Sequence, residues 1–284
     1  MPINASAVGA DIGPYEHHIT TRQCLAYAAA LGETAAIHFD DARPGGIVAV
    51  PAMVVALEWP PSRDLRETPG FGATDAERLR VVHAEQDTLF HAPIRPGDHL
   101  RAAGRLVSVE RIKPGAKTVS KLTLTTAAGD AVATSYSTAI HRGVEVDGGD
   151  RVEETAPPWP EGEAAADWSE TAVPVARELP HVYTECADIW SPIHTERAVA
   201  LAAGLPDIIA HGTSTWALAA KEIVAARLGG DPGRLARLAG RFTGMVIPGT
   251  TITIRHAAAL GGARFEVLAA DGSKAISRGR AAFA

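Results

Sequence analysis

The apolar positions of this 284-residue chain change period several times. Thr20 and Thr21 precede RQCLAYAAALG, an alanine-rich run that reads as a helix with a threonine N-cap and a stop at Gly32. Thr195 precedes ERAVALAAGL, a second run of this type, stopped by Gly204. Each is followed by a more apolar segment, AVPAMVVALEW at 49–59 and AHGTSTWALAAKEIV at 210–224, the latter a long helix from Gly212 toward Gly229. Beyond these the period falls to two. LTLTT and TITIRHA alternate apolar and polar residues as half-buried antiparallel strands do. Pro-Gly turns at Ile94–Asp98 and Val246–Thr250 mark corresponding places, and 127–141 is echoed by 269–283. Helix first and antiparallel strands after, written twice, predicts an α+β chain built from an internal duplication.

Between the copies the pattern lapses. Residues 145–170 hold nine acids (Glu145, Asp147, Asp150, Glu153, Glu154, Glu161, Glu163, Asp167 and Glu170) against Arg151 alone, with Pro157, Pro158, Pro160 and paired Gly148-Gly149. That composition reads as a solvated connector. The expected organisation is a first repeat over 1–144, an acidic linker over 145–171 and a second repeat over 172–284. The formal net charge of −6 belongs to the connector, the remaining chain being slightly positive. No basic block offers a nucleic-acid footprint. Cys24 and Cys186 are too few for a disulfide framework and have no metal-ligand spacing. No run approaches the ~18 apolar residues of a membrane span. The first residues carry no basic-then-apolar leader pattern, so a cytoplasmic protein is expected.

Candidate chemistry is sparse. His83 and Glu85 share one strand face without a third ligand, which favours structural hydrogen bonding over a metal. His17 and His18 are expected to be solvated. Gly212-Thr213-Ser214 lacks the second glycine of a nucleophile elbow, and there is no Gly-rich phosphate loop.

One segment stands apart: Tyr183-Thr184-Glu185-Cys186-Ala187-Asp188-Ile189-Trp190-Ser191-Pro192-Ile193-His194. It resembles the signature Y-x-x-S-G-D-x-N-P-[LIV]-H of the MaoC-like dehydratases, the R-specific (type-2) enoyl-CoA hydratases. GLPDIIAHGTSTWALA (204–219) resembles that family's second block, and VHAEQ, PIRPGD and the terminal IHR of the first half resemble its N-terminal repeat. The resemblance implies a double hot-dog fold, each repeat a long helix wrapped by an antiparallel sheet. It implies hydration of 2-enoyl thioesters and the reverse dehydration of (R)-3-hydroxyacyl thioesters, in fatty acid metabolism. It assigns His194 as the base, Asp188 as its acidic companion and the Gly212 backbone N–H as oxyanion donor. Ser191, Trp190 and His211, with Val50 and Pro51 of the first repeat, are implied to contact substrate. No metal or redox cofactor is implied. The partner is an acyl-CoA, and the oligomer a monomer or homodimer.

The chain departs from the signature at one place. Counting back from His194, the family's asparagine falls on Ser191 and its aspartate on Ile189, so Asp188 stands one residue early. Either a local bulge brings Asp188 to the site, or it faces elsewhere and the dyad is broken. The departure therefore leaves two further readings beside the hydratase, a non-catalytic acyl-thioester binder and a thioesterase. The first repeat has Val50-Pro51 where the second has His211-Gly212, and proline has no N–H to offer. Only the second repeat is expected to react.

Overall fold

A computed structural model of the chain describes residues 2–68, 71, 81–162 and 164–284. Contacts divide it into two compact units. One comprises Met1–His17, Leu57–His91 and His99–Trp159, and the other His18–Ala56, Ala92–Asp98 and Pro160–Ala284. Each is built on an antiparallel sheet, and the architecture is the α+β double hot-dog.

In the first unit the sheet contains β2 (Asp11–His18), β3 (Val81–Phe90), β4 (His99–Ile112), β5 (Gly115–Thr126) and β6 (Ala131–Arg142), ordered β2-β4-β5-β6-β3. LTLTT lies in β5 with Leu122 and Leu124 buried and Thr123, Thr125 and Thr126 more exposed. Two short strands, β1 (Ile3–Asn4) and β7 (Val146–Asp147), pair in parallel, and β8 (Arg151–Val152) pairs with β4. The start of the acidic stretch is thus folded onto this unit. Glu153 bonds Arg105 at 2.7 Å, Glu154 takes Lys121 at 2.7 Å, and Asp150 accepts the Arg111 N–H at 3.0 Å. Glu153 and Glu154 thus meet bases of the unit and Asp150 a backbone N–H, pairings that composition alone does not show. Glu163 lies outside the described residues.

The apolar segment at 49–59 begins as a 3-10 turn, Pro51–Met53, and continues as α3 (Val54–Asp64) through Pro60 and Pro61. Pro61 cannot donate to the Leu57 carbonyl four residues back. The imidazole of His17 bonds that carbonyl instead, so His17 is half-buried where the sequence suggests a solvated side chain.

The second unit's sheet runs β10-β13-β12-β11-β9, from β9 (Ser169–Pro174), β10 (Leu235–Phe242), β11 (Thr251–Ala259), β12 (Gly262–Leu268) and β13 (Lys274–Phe283). Its helices include α1 (Thr21–Ala30), the single turn α2 (Ala36–Phe39), α4 (Leu179–Ala187), α5 (Arg197–Ala202) and α6 (Gly212–Arg227). Of the threonine caps only the first forms. Thr20 Oγ1 accepts the Gln23 N–H, and Gln23 Oε1 accepts that of Thr20, closing a capping box. Thr195 does not cap α5; Glu196 holds the N-cap place without a side-chain bond.

Helix α6 packs on β10 to β13. Trp216, Ala217, Ala219, Ala220 and Ile223 are fully buried, as are Ile252, Ile254, Phe265, Val267 and Ile276 of the strands. The alanines let helix and sheet approach, and at Gly240 a Cβ would meet Ile276 at 2.9 Å. Truncating a fully buried residue such as Ile223 to alanine costs about 2–5 kcal/mol by lost burial plus cavity. This packing holds the N-terminus of α6 in place, and the candidate site lies there.

Candidate active site

Every group of the site belongs to the second unit. Asp188 ends α4 in the left-handed conformation (φ 53°, ψ 37°), and the chain turns sharply there. Ser191 then opens the 3-10 turn Pro192–His194, whose proline stands at its start, where a missing N–H is harmless. That turn delivers His194 to the N-terminus of α6. Its Nδ1 lies 2.8 Å from the Ile209 carbonyl, and its ring stacks on His211 with centroids 3.8 Å apart and planes at 27°.

The hydrogen bonds fix the tautomers, because a carbonyl only accepts. His194 Nδ1 carries the proton, donated to Ile209 O, and Nε2 presents a lone pair. His211 Nε2 lies 3.3 Å from both Ile189 O and Thr184 Oγ1, so it carries that ring's proton, while the buried Nδ1 has no partner. Burial holds His194 below the usual histidine range, partly offset by the bond to Ile209. Burial and then the neighbouring His194 push His211 down to about 3, so His211 stays neutral. The positive end of the α6 dipole disfavours imidazolium in the same place.

The first three N–H groups of a helix have no acceptor within it. In α6 these belong to Gly212, Thr213 and Ser214, and the first bond back is Thr215 N–H to His211 O at 3.1 Å. A side chain at Gly212 would be crowded, since a Cβ would lie 3.1 Å from the Phe242 ring. The buried Ser214 spends its hydroxyl on His211 O at 2.8 Å, which gives it a structural place and agrees with the absence of a nucleophile elbow.

Of the residues singled out from sequence, the structure brings His194, His211 and Gly212 together. Ser191 is half-buried beside them in the chain, and its carbonyl accepts the His194 N–H at 3.0 Å. Trp190 is 60% exposed. Asp188 is exposed; its backbone N–H closes α4 on Thr184 O, and its carboxylate has no hydrogen bond or ion pair among the described residues. Ile189, at the family's aspartate position, is buried. The acid is therefore exposed and the isoleucine buried, and it is Ile209 O that accepts the hydrogen bond from His194 Nδ1. Val50 is buried, and the Pro51–Met53 turn packs on α6. His83 serves structure: its Nε2 lies 3.1 Å from both Glu85 O and Ser137 Oγ. No group of three or more metal-ligating side chains occurs among the described residues.

Residues 6–135 match the family description "FAS1-like, dehydratase domain region", and residues 170–266 match "MaoC like domain". The chain belongs to the MaoC-like dehydratase family. Its similarity to an enoyl-CoA hydratase of Mycobacterium tuberculosis, ChsH3, is 29% identity over 264 residues, 89% of each chain. To 3-hydroxyacyl-thioester dehydratase Y of the same organism it is 27% identity, over 97% of this chain and 95% of the relative. The solved MaoC-like dehydratase of Phytophthora capsici superimposes with a TM-score of 0.84 at 18% identity, covering 97% of this chain and 95% of that one.

Sequence reasoning missed Ile209 and Phe242. Ile209 acts through its carbonyl, which any residue has. Phe242 reaches the site from a strand distant in the chain.

Proposed function

We propose that this MaoC-like dehydratase is a hydro-lyase that adds water to 2-enoyl-CoA thioesters and removes it from (R)-3-hydroxyacyl thioesters, with His194 as base. The observation that carries this is the pairing of a bare, neutral His194 Nε2 with the N–H groups opening α6. Nε2 takes a proton from water as the oxygen bonds to C3 of the enoyl group. The double-bond electrons move onto the thioester oxygen, where the Gly212 N–H stabilises the charge, a contact worth about 3–4 kcal/mol in analogous acyl chemistry. The imidazolium proton then passes to C2, and the base is regenerated. Ser191 and His211 line the approach, with Trp190 at its rim and Val50 and Pro51 behind the helix start. Asp188 has no part in orienting His194 in this scheme; the Ile209 carbonyl does that.

The test follows loss of the conjugated enoyl-thioester absorbance with crotonyl-CoA and longer enoyl-CoAs. Wild type and Asp188→Asn are expected to hydrate alike. Activity lost in Asp188→Asn would return the acid to the mechanism. Release of free CoA in a thiol assay would make the protein a thioesterase, since hydration conserves the thioester.

A further inference from the structure

Tyr27 lies in α1, outside every segment that resembles the family signature. It is 1% exposed, and its hydroxyl donates to the Ala52 carbonyl at 2.9 Å. The same hydroxyl lies 3.1 Å from that of Tyr183, which is in turn 3.2 Å from Thr213 Oγ1. Tyr27 donates its proton to Ala52 O and Tyr183 donates its own to Thr213 Oγ1, so the two touching hydroxyls tie the Pro51–Met53 turn at one end to the start of α6 at the other. The chain begins at the second residue of α6, next to Gly212. It also borders the base, because the Tyr183 ring packs at 5.1 Å on His211, which stacks on His194.

All of this is buried, and removing a single hydroxyl from such a chain breaks its contacts on both sides and frees its neighbours to re-aim. The tilt of the Tyr183 ring against His211 is held by its hydroxyl at one end and by α4 at the other. Such a shell around a reacting group is what keeps it within a fraction of an ångström of productive geometry.

We infer that Tyr27 is a positioning residue for the hydration site, acting through Tyr183 on the His211–His194 stack and on the start of α6. The inference rests on the hydratase reading for its kinetic consequence and on geometry alone for its spectroscopic one. Tyr27→Phe keeps the ring and removes only the hydroxyl. It is expected to lower kcat about tenfold with KM within about twofold, as loss of one buried hydrogen bond implies. Tyr183→Phe should do the same, and the double variant should be little worse than either single one, because the residues act as a unit. Tyr136→Phe, which removes a tyrosine hydroxyl bonded to Glu154 in the first unit, serves as the control and should leave kcat unchanged.

The second readout is the histidine imidazole NMR spectrum of the full chain without substrate. Tyr27→Phe should shift the His194 and His211 resonances, and Tyr136→Phe should not. Unmoved imidazole resonances overturn the inference, as does an unchanged kcat in an active enzyme. If the resonances move but wild type hydrates no enoyl-CoA, the hydratase reading fails and the positioning stands.

Discussion

Glu58 should make the first unit lose stability as the solution becomes alkaline. It projects from α3 and is 2% exposed. Ser135 donates to its Oε1 at 2.7 Å, Thr88 and Gln86 extend the network, and Oε2 is buried without a partner. Burial raises its carboxyl from 4.5 to about 8, against the opposing bonds from Ser135 and Gln86. The folded form therefore holds a proton that the unfolded chain releases above pH 4.5. Stability from this group is complete below about pH 4.5 and is lost as pH rises through 8. At about 1.4 kcal/mol per unit the full difference is about 5 kcal/mol, an upper bound that local relaxation reduces. His83 and His141 act with the opposite sign. Burial lowers both to about 4, so their contribution is complete above pH 6.5 and is lost as pH falls through 4. The two histidines outweigh the one carboxyl between pH 4.5 and 6.5, so stability should peak near 6.5. Glu58→Gln keeps the shape and the polar contacts while removing the titration. Urea denaturation at pH 6.5 and 8.5 should show wild type losing about 2 kcal/mol over that interval and Glu58→Gln losing markedly less. Parallel losses in the two proteins would refute the reasoning.

Two further outcomes concern the site. Gly212→Ala places a methyl against Phe242 and should cost about 1–3 kcal/mol in denaturation, with a fall in kcat as the helix start shifts; undiminished stability and kcat would show that the ring yields freely. The acid limb of kcat/KM should fall below pH 6.5, because His194 must be neutral to act and burial lowers its pKa; a limb above 6.5 would point to a different base.

Much of the architecture was legible because its causes are local. Period-two runs gave strands, the Thr20 cap gave a helix start, and His211-Gly212 marked the opening of α6. The acidic stretch was harder, since Glu153 and Glu154 are ordered by Arg105 and Lys121, whose pairing exists only once β4 and β5 have formed. The site was legible as far as residue type carries it. His194 and Gly212 stand in the signature, and their meeting is a matter of one turn before one helix. Which way Asp188 faces depends on a single left-handed residue at the end of α4, and the motif spacing left both outcomes open. Tyr27 could not be found from sequence, because its partner Tyr183 is 156 positions away and an alanine-rich helix gives no hint of a buried hydroxyl.

The central claim is that His194 removes the proton from water at the start of α6. Initial rates of hydration of an enoyl-CoA series by wild type and His194→Ala test it most directly. Removing a general base should lower kcat by about 10²–10⁴-fold with the fold intact by circular dichroism. Equal rates in the two proteins would contradict it.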